Sequence, residues 1–247
     1  MGNEVRMGEF QILPPVVKNL LIINALFYLA DVVLGFKGID LSNWLGLHYF
    51  QASSFAFWQP VTYMFMHGNF GHLFFNMFAL WMFGAAVENY WGTKRFIIFY
   101  FVAGIGAALV YELWQYIDIT YIMRLQDFSG VRVPNPKTHV EEIYLVDEFI
   151  NKMTLVGASG AVYGLLLAFG MLFPNSLIYI YFLIPVKAKW FVIIYGGIEV
   201  LYCIFASSDG IAHIAHLGGM LFGLLLILFW RKKERRRNYN YEYPYNS

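Results

Sequence analysis

Six long apolar segments divide this 247-residue chain, and they limit its possible folds more than any other feature of the sequence. A bilayer core needs about 20 apolar residues per helix, and each segment approaches or reaches that length. The sequence therefore predicts an all-α membrane protein, a bundle of six transmembrane helices. The predicted spans are Val16–Phe36, Phe70–Tyr90, Phe96–Tyr116, Met153–Phe173, Trp190–Ala206 and Ile211–Trp230.

The composition supports a membrane protein. Hydrophobic residues make up 59% of the chain and charged residues only 13%, against about 25% charged in a soluble domain. The 24 Phe, 18 Tyr and 7 Trp suit the aromatic belts at membrane interfaces. A net charge of +1 gives no sign of a nucleic-acid partner, and a single cysteine, Cys203, excludes an intramolecular disulfide.

Two predicted spans need a specific argument. The first begins too far along the chain, runs too long and lacks a small-residue cleavage site, so we expect a span rather than a removable signal peptide. Before the fifth, prolines interrupt the apolar "NSLIYIYFLIPVKAKW", which we interpret as an interfacial connection. The predicted domains are a cytoplasmic segment at 1–15, the membrane domain at 16–230 and a basic, low-complexity tail at 231–247.

The basic residues predict the orientation, since cytoplasmic loops carry an excess of Lys and Arg. With both termini in the cytoplasm, twelve of the 17 basic residues lie inside, six of them in "RKKERRR", and five lie outside. The sequence therefore predicts cytoplasmic termini. The second, fourth and sixth helices then begin at the outer face.

Two of the predicted outer loops are long. Residues 37–69 are rich in Trp, Phe and Tyr, which is typical of an element lying in the membrane interface. Residues 117–152 include a short amphipathic piece at Val140–Ile150. The final "NYNYEYPYNS" has low complexity, and we predict that it is disordered.

Polar side chains inside the spans are candidates for a functional site, because burying them in lipid is costly. His72 and Asn76 lie four residues apart on one face of the second helix. Ser159 lies near the start of the fourth helix, and His213 and His216 lie near the start of the sixth. At a rise of about 1.5 Å per residue, His72, Ser159 and His216 share one depth, which a common site explains better than chance.

Glycines beside these residues predict close helix packing. Gly160–Gly164 in the fourth helix and Gly219–Gly223 in the sixth are small-xxx-small faces that let two backbones approach. If these faces pack together, Ser159 and His216 come within hydrogen-bond reach. A serine beside a histidine is an activated nucleophile, because the imidazole takes the hydroxyl proton as general base.

The same arrangement predicts a site for an oxyanion. Ser159 opens its helix, where backbone N–H groups lack intrahelical acceptors and can stabilise negative charge. The side chains of His72 and Asn76 can add donors to the same anion.

Other polar residues in the spans have simpler interpretations. We expect Glu88 to bond loop N–H groups or a basic partner such as Arg95. Cys203 and the glutamates of the third and fifth helices, Glu112 and Glu199, are expected to be structural or interfacial. Asp209 is a poor candidate to support His216, so the prediction is a Ser–His dyad.

A metal centre and a transporter are weaker alternatives. His67, His72, His213 and His216 could in principle bind a metal, but the sequence has neither an HExxH pattern nor an inward carboxylate to accompany them. A transporter would show paired broken helices in two related halves, which the sequence lacks. We therefore expect no metal and no cofactor.

Three stretches resemble the rhomboid family of intramembrane serine proteases, and the resemblance covers most of the chain. They are "FMHGNFGHLFFNMFALWMFGAAVENYWG", "GASGAVYG" and "AHIAHLGGMLFG". The resemblance implies a six-helix rhomboid-like bundle that hydrolyses peptide bonds in or near transmembrane segments of membrane-protein substrates. It also implies a multi-pass protein of a lipid bilayer, which we expect to be a bacterial inner membrane.

The resemblance assigns roles residue by residue. Ser159 is similar to the nucleophile and His216 to the base; His72 and Asn76 are similar to the oxyanion side chains. Tyr163 is similar to the ring that packs against the catalytic imidazole. The glycines of the Gly-x-Ser-Gly motif, Gly157 and Gly160, support the nucleophile, Glu88 matches an acidic residue after the second helix, and His67 matches a further histidine.

Two features of the match leave alternatives open. His213 competes for the base, although only His216 has glycines three and seven residues later, as the family pattern requires. Trp58 is followed by Gln59, where the family often has Trp-Arg, which affects how the first loop is anchored. An inactive rhomboid-like protein that binds membrane proteins for quality control is the second hypothesis, and retention of both Ser159 and His216 argues against it.

Overall fold

The computed structural model describes residues 10–125, 131–134, 141–144, 146–180, 183–205 and 212–242. Helices dominate these residues. The α-helices are α1 (Pro15–Gly35), α2 (Leu41–Leu45), α3 (Gln59–Thr62), α4 (Phe70–Ala79), α5 (Ala85–Trp91), α6 (Thr93–Leu125), α7 (Val146–Lys152), α8 (Ser159–Leu172), α9 (Ala188–Phe205) and α10 (His213–Glu242). A 3-10 turn (Tyr63–Phe65) follows α3, and a π-helical turn (Leu80–Gly84) joins α4 to α5.

The strands of the described residues form only two-stranded antiparallel ladders. These pair β1 (Leu47–His48) with β4 (Thr154–Leu155), β2 (Val131–Pro134) with β3 (Glu141–Tyr144), and β5 (Leu177–Ile180) with β6 (Ile184–Lys187). The last hairpin occupies the stretch predicted as an interfacial connection before the fifth span.

Within the described ranges, five helices are long and apolar enough to cross a membrane. Their bounds are Pro15–Gly35, Phe70–Trp91, Thr93–Tyr121, Ala188–Phe205 and His213–Arg235. Each overlaps one of the predicted spans, and the prediction of a helical membrane protein is confirmed. The placement of the termini in the cytoplasm stays a prediction.

The fourth predicted span, Met153–Phe173, is wrong at its start. Residues Thr154–Leu155 form β4, and Gly157 adopts a φ of 129°, so the helix begins only at Ser159. Helix α8 has 14 residues. It packs against α6, α9 and α10. These neighbouring helices cover most of the surface that α8 would otherwise present to lipid.

Small side chains bring α6 close to α8. A Cβ atom added at Gly160 would lie 2.5 Å from Ala107 Cβ, and one added at Gly164 would lie 2.7 Å from Ala103 Cβ. Both alanines are fully buried. Helices α1 and α9 lie at the outside of the bundle and are much less buried. Only 22% of the α1 span and 17% of the α9 span are buried, so their apolar surfaces are available to lipid.

Gln59 anchors the loop between α1 and α4. Its side chain is buried, its Oε1 accepts from the backbone N–H of His48 (3.2 Å), and its Nε2 donates to the carbonyl of Ser54 (2.9 Å). Trp58 Nε1 donates to the carbonyl of Trp44 (3.2 Å). The residue that departs from the Trp-Arg pattern therefore anchors the loop with its own amide.

The predicted outer loop at residues 117–152 and the C-terminal segment differ from expectation. The predicted amphipathic piece at Val140–Ile150 is helical only from Val146, where α7 begins, whereas Glu141–Tyr144 form β3. Residues 140 and 145 lie outside the described ranges. Helix α10 continues to Glu242. The prediction of disorder is therefore wrong for residues 238–242, and residue 231 does not mark the end of a helix.

Candidate active site

Ser159 is the first residue of α8 and is presented by an extended segment. The backbone N–H of Gly157 donates to the carbonyl of Tyr63 (2.9 Å), which ties this segment to the 3-10 turn after α3. Gly157 has a φ of 129°, a conformation that favours glycine because it has no Cβ. Among the described residues no side chain caps α8, so its first N–H groups are available at the serine.

Ser159 Oγ lies 2.8 Å from His216 Nε2. His216 stands in the first turn of α10 and is buried, with 8% of its surface exposed. The two side chains predicted from separate helices therefore form a direct hydrogen bond. His213, the other candidate for the general base, bonds Glu199 through its Nδ1.

The glycine faces of α8 and α10 interlock, as the spacing predicted. A Cβ atom added at Gly219 would overlap the carbonyl oxygen of Gly160, one added at Gly164 would lie 3.0 Å from the carbonyl oxygen of Gly219, and one added at Gly223 would lie 3.4 Å from Gly164 Cα. Backbone therefore touches backbone along this seam. Because Ser159 precedes Gly160 and His216 lies one turn before Gly219, the seam sets the separation of the two side chains.

The ring of Tyr163 stacks on His216, with centroids 4.2 Å apart and planes inclined by 7°. This is the contact that the resemblance implied. The hydroxyl of Tyr163 donates to Glu199 Oε1, which links the stacked ring to a carboxylate of α9.

Glu199 was predicted to be structural or interfacial, but the structure places it directly behind His216. Its Oε2 lies 2.9 Å from His216 Nδ1 and 2.6 Å from His213 Nδ1. One signal was present in the sequence: Glu199 is the only acidic residue of α9, and an acidic residue at membrane depth is a functional candidate by default. Asp209 lies outside the described residues.

His72 lies against the segment that presents Ser159. Its backbone N–H donates to Asn69 Oδ1 (2.8 Å), so Asn69 caps α4. A Cβ atom added at Gly157 would lie 2.8 Å from both His72 Cε1 and Nε2. Only glycine leaves room for this ring beside the nucleophile.

Asn76 lies one turn after His72 and is buried. Its Nδ2 donates to the carbonyl of His72 (2.9 Å), so in this state the amide is held within its own helix. His67 lies edge-on to His72 with ring centroids 5.1 Å apart. Burial, and to a smaller extent His72, lowers the pKa of His67 to about 4, so its imidazole is neutral at pH 7.

The four histidines of the metal hypothesis fall into two pairs, His67 with His72 and His213 with His216. The argument that no inward carboxylate accompanies them is wrong, because ligand atoms of Glu199, His213 and His216 lie within 4.8 Å of one another. The Nδ1–Oε2 distances of 2.6 and 2.9 Å are nevertheless those of hydrogen bonds. Ligands of a tetrahedral zinc, bonded at about 2.0–2.1 Å, stand roughly 3.3 Å apart.

The remaining polar residues have structural partners. Glu88 accepts hydrogen bonds from the backbone N–H groups of Val16 (3.0 Å) and Val17 (2.9 Å), which confirms its predicted structural role. Arg95 pairs with Glu234 at 2.7 Å rather than with Glu88. In α6, Glu112 accepts from the backbone N–H of Phe50 (2.9 Å), and Cys203 is a free, partly buried thiol.

The chain is similar to known proteins over most of its length. Residues 54–233 match the family model of the Rhomboid domain. The rhomboid protease AarA of Providencia stuartii is 27% identical over 68% of this chain and 54% of its own length. YdcA of Bacillus subtilis (strain 168) is 27% identical over 94% of this chain and 98% of its own.

A plant relative extends the comparison. Rhomboid-like protein 11, chloroplastic, of Arabidopsis thaliana is 30% identical over 84% of this chain and 62% of its own length. The chain thus spans about half the length of AarA and nearly the whole length of YdcA. With more than half of its residues matched by the Rhomboid domain, this integral membrane protein belongs to the rhomboid family.

Proposed function

We propose that the protein is an intramembrane serine endopeptidase in which Ser159 is the nucleophile and His216 the general base. The observation that carries the proposal is the 2.8 Å contact between Ser159 Oγ and His216 Nε2 at the start of a buried helix. The named relative AarA is a rhomboid protease, and family membership supports the same chemistry here.

The first half-reaction forms an acyl-enzyme. Ser159 Oγ attacks the carbonyl carbon of the scissile peptide bond while its proton passes to His216 Nε2. The tetrahedral intermediate then collapses, the C–N bond breaks, and the imidazolium returns its proton to the departing amine. In the second half-reaction His216 takes a proton from water, and the hydroxide attacks the ester carbonyl. The second tetrahedral intermediate collapses with cleavage of the bond between the acyl carbon and Ser159 Oγ, and the imidazolium returns its proton to Oγ.

The oxyanion formed in each half-reaction lies at the N-terminus of α8. We assign the Ser159 N–H as one donor, because helix N-termini favour negative charge. The His72 ring, packed against Gly157, is the second donor. Asn76 contributes only if its Nδ2 leaves the His72 carbonyl, so it acts after substrate binds.

The substrates we propose are single transmembrane segments of other membrane proteins. A regular helix holds its carbonyls in intrahelical hydrogen bonds, so the segment must unwind to reach Ser159. Helix-breaking residues near the cleavage site favour this unwinding. With cytoplasmic termini, the site lies near the outer face of what we propose is a bacterial inner membrane.

An inactive rhomboid-like protein that binds membrane proteins is the second candidate. Its support is that curated relatives include rhomboid proteins with no stated activity, such as rhomboid-like protein 11. The retained Ser159–His216 contact favours the protease.

One experiment separates the two functions. Purified protein in proteoliposomes is incubated with a fluorescent single-span substrate and, separately, with a fluorophosphonate probe. We expect cleavage and labelling in the wild type and neither in Ser159→Ala. Ser53→Ala is the matched control, because Ser53 lies in the loop before α3 and its Oγ donates to Asn151 of α7. A wild type that neither cleaves nor labels would favour the binding protein.

A further inference from the structure

We infer that Glu199 is a positioning residue for His216, so that the site is a Ser159–His216–Glu199 chain in which His213 holds the carboxylate. The inference rests on the proposed protease function and extends it. Helix α9 is mostly exposed, and among its described residues only Ala188, Val192 and Glu199 are buried. The acidic residue therefore turns inward from a helix whose other faces are available to lipid.

Three hydrogen bonds compensate the burial of this carboxylate. A charged group at membrane depth is costly unless it is paired and hydrogen-bonded. Oε1 accepts from the Tyr163 hydroxyl, and Oε2 accepts from His213 and His216. The neighbours of Glu199 along the helix, Ile198 (38%) and Val200 (44%), are exposed, whereas Glu199 is 4% exposed.

The carboxylate determines which nitrogen of His216 carries the proton. A carboxylate only accepts, so Nδ1 at 2.9 Å must be protonated. In the neutral ring Nε2 is then an acceptor, which is the form that can take the proton from Ser159 Oγ. When that proton arrives, the resulting imidazolium already faces a negative charge.

His213 orients the same oxygen from the other side. Its ring is perpendicular to that of His216, at 89° and 6.0 Å between centroids, and Tyr202 stacks on it at 4.7 Å. The stack of Tyr163 on His216 and the stack of Tyr202 on His213 therefore hold Glu199 between them. His213, which the sequence offered as the other candidate for the general base, acts on His216 through Glu199 in this arrangement.

In the part of the chain that the structure describes, the charged and titratable groups around His216 come from four helices. They are Ser159 and Tyr163 on α8, Glu199 on α9, His213 on α10 and His72 on α4. Glu199 is the only carboxylate among them. Removing its charge takes away the partner of the imidazolium formed during the reaction, so the acidic limb of the pH–rate profile should move.

The test compares E199Q and E199D with E112Q, a control at a carboxylate of α6 whose bond to Phe50 lies outside this network. We expect E199Q to lower kcat about 10²-fold or more, with a smaller change in KM, and to move the acidic limb of the pH–rate profile to lower pH. E199D should retain intermediate activity. E112Q should keep kcat and the pH profile near wild type.

Two measurements do not depend on activity. The wild type should show downfield proton resonances from the Nδ1–H groups bonded to Glu199, and E199Q should lose them. Elemental analysis should find no stoichiometric metal, and a chelator should not change cleavage.

The outcomes are distinguishable. A folded E199Q with kcat within about threefold of wild type and an unmoved acidic limb would overturn the inference, as would absent downfield resonances in the wild type. Stoichiometric metal lost in E199Q would replace it with a metal site. A wild type indistinguishable from Ser159→Ala would refute the proposed function itself, while the resonances would still decide whether Glu199 bonds His216.

Discussion

The contact between Gly219 and Gly160 allows a quantitative test of the claim that helix packing sets the dyad. In Gly219→Ala the new methyl would overlap the carbonyl oxygen of Gly160 and lie 3.1 Å from its Cα. Ordinary Cβ contacts are 3.4–4 Å. Both obstructing atoms are helix backbone, so they cannot move aside as a flexible side chain would.

The helices must therefore separate, and the magnitude follows from the geometry. A displacement of about 1 Å would lengthen the 2.8 Å Ser159–His216 contact beyond the usual hydrogen-bond range of about 3.0 Å for O–H donors. Overpacking of this kind costs about 1–3 kcal/mol of stability. A misplacement of about 1 Å can lower activity about 10²-fold.

The assay pairs cleavage of a single-span substrate with thermal unfolding in detergent. The matched control is Gly197→Ala, where an added Cβ meets no atom within 4 Å. Alanine is favoured over glycine in a helix by about 1 kcal/mol, so this variant should be as stable as wild type or slightly more. Equal activity and equal unfolding temperature in both variants would refute the argument that the glycine seam positions the dyad.

Three further predictions concern helix α4, the N-terminus and the orientation. Removing an oxyanion donor typically lowers kcat about 10²–10³-fold, roughly 3–4 kcal/mol. His72→Ala and Asn76→Ala should therefore lower kcat with a smaller change in KM. An unchanged kcat in the double variant would show that α4 has only a packing role. Glu88→Ala leaves the N–H groups of Val16 and Val17 without their acceptor, and each unsatisfied group costs about 1–3 kcal/mol of stability. The unfolding temperature of Glu88→Ala should therefore fall more than that of Glu88→Gln, which keeps one acceptor oxygen. Cysteine labelling from outside should modify residues in 117–152 and not those after 231; the reverse result would contradict the predicted cytoplasmic termini.

The sequence alone predicted the membrane class, most of the spans and the pair Ser159 and His216. These follow from local patterns. An apolar run of bilayer length identifies a helix without knowledge of its neighbours, and glycines four residues apart mark the face where two backbones approach. The interlocked seam at Gly160 and Gly219 is the structural counterpart of that spacing.

Tertiary structure decided which way the remaining polar residues point. Lipid is as apolar as a protein core, so hydrophobicity alone does not identify which face of an apolar helix such as α9 turns toward the protein. Glu199 therefore looked interfacial, and its partners Tyr163, His213 and His216 come from two other helices. No spacing along one helix predicts that convergence, because it depends on how three helices pack together.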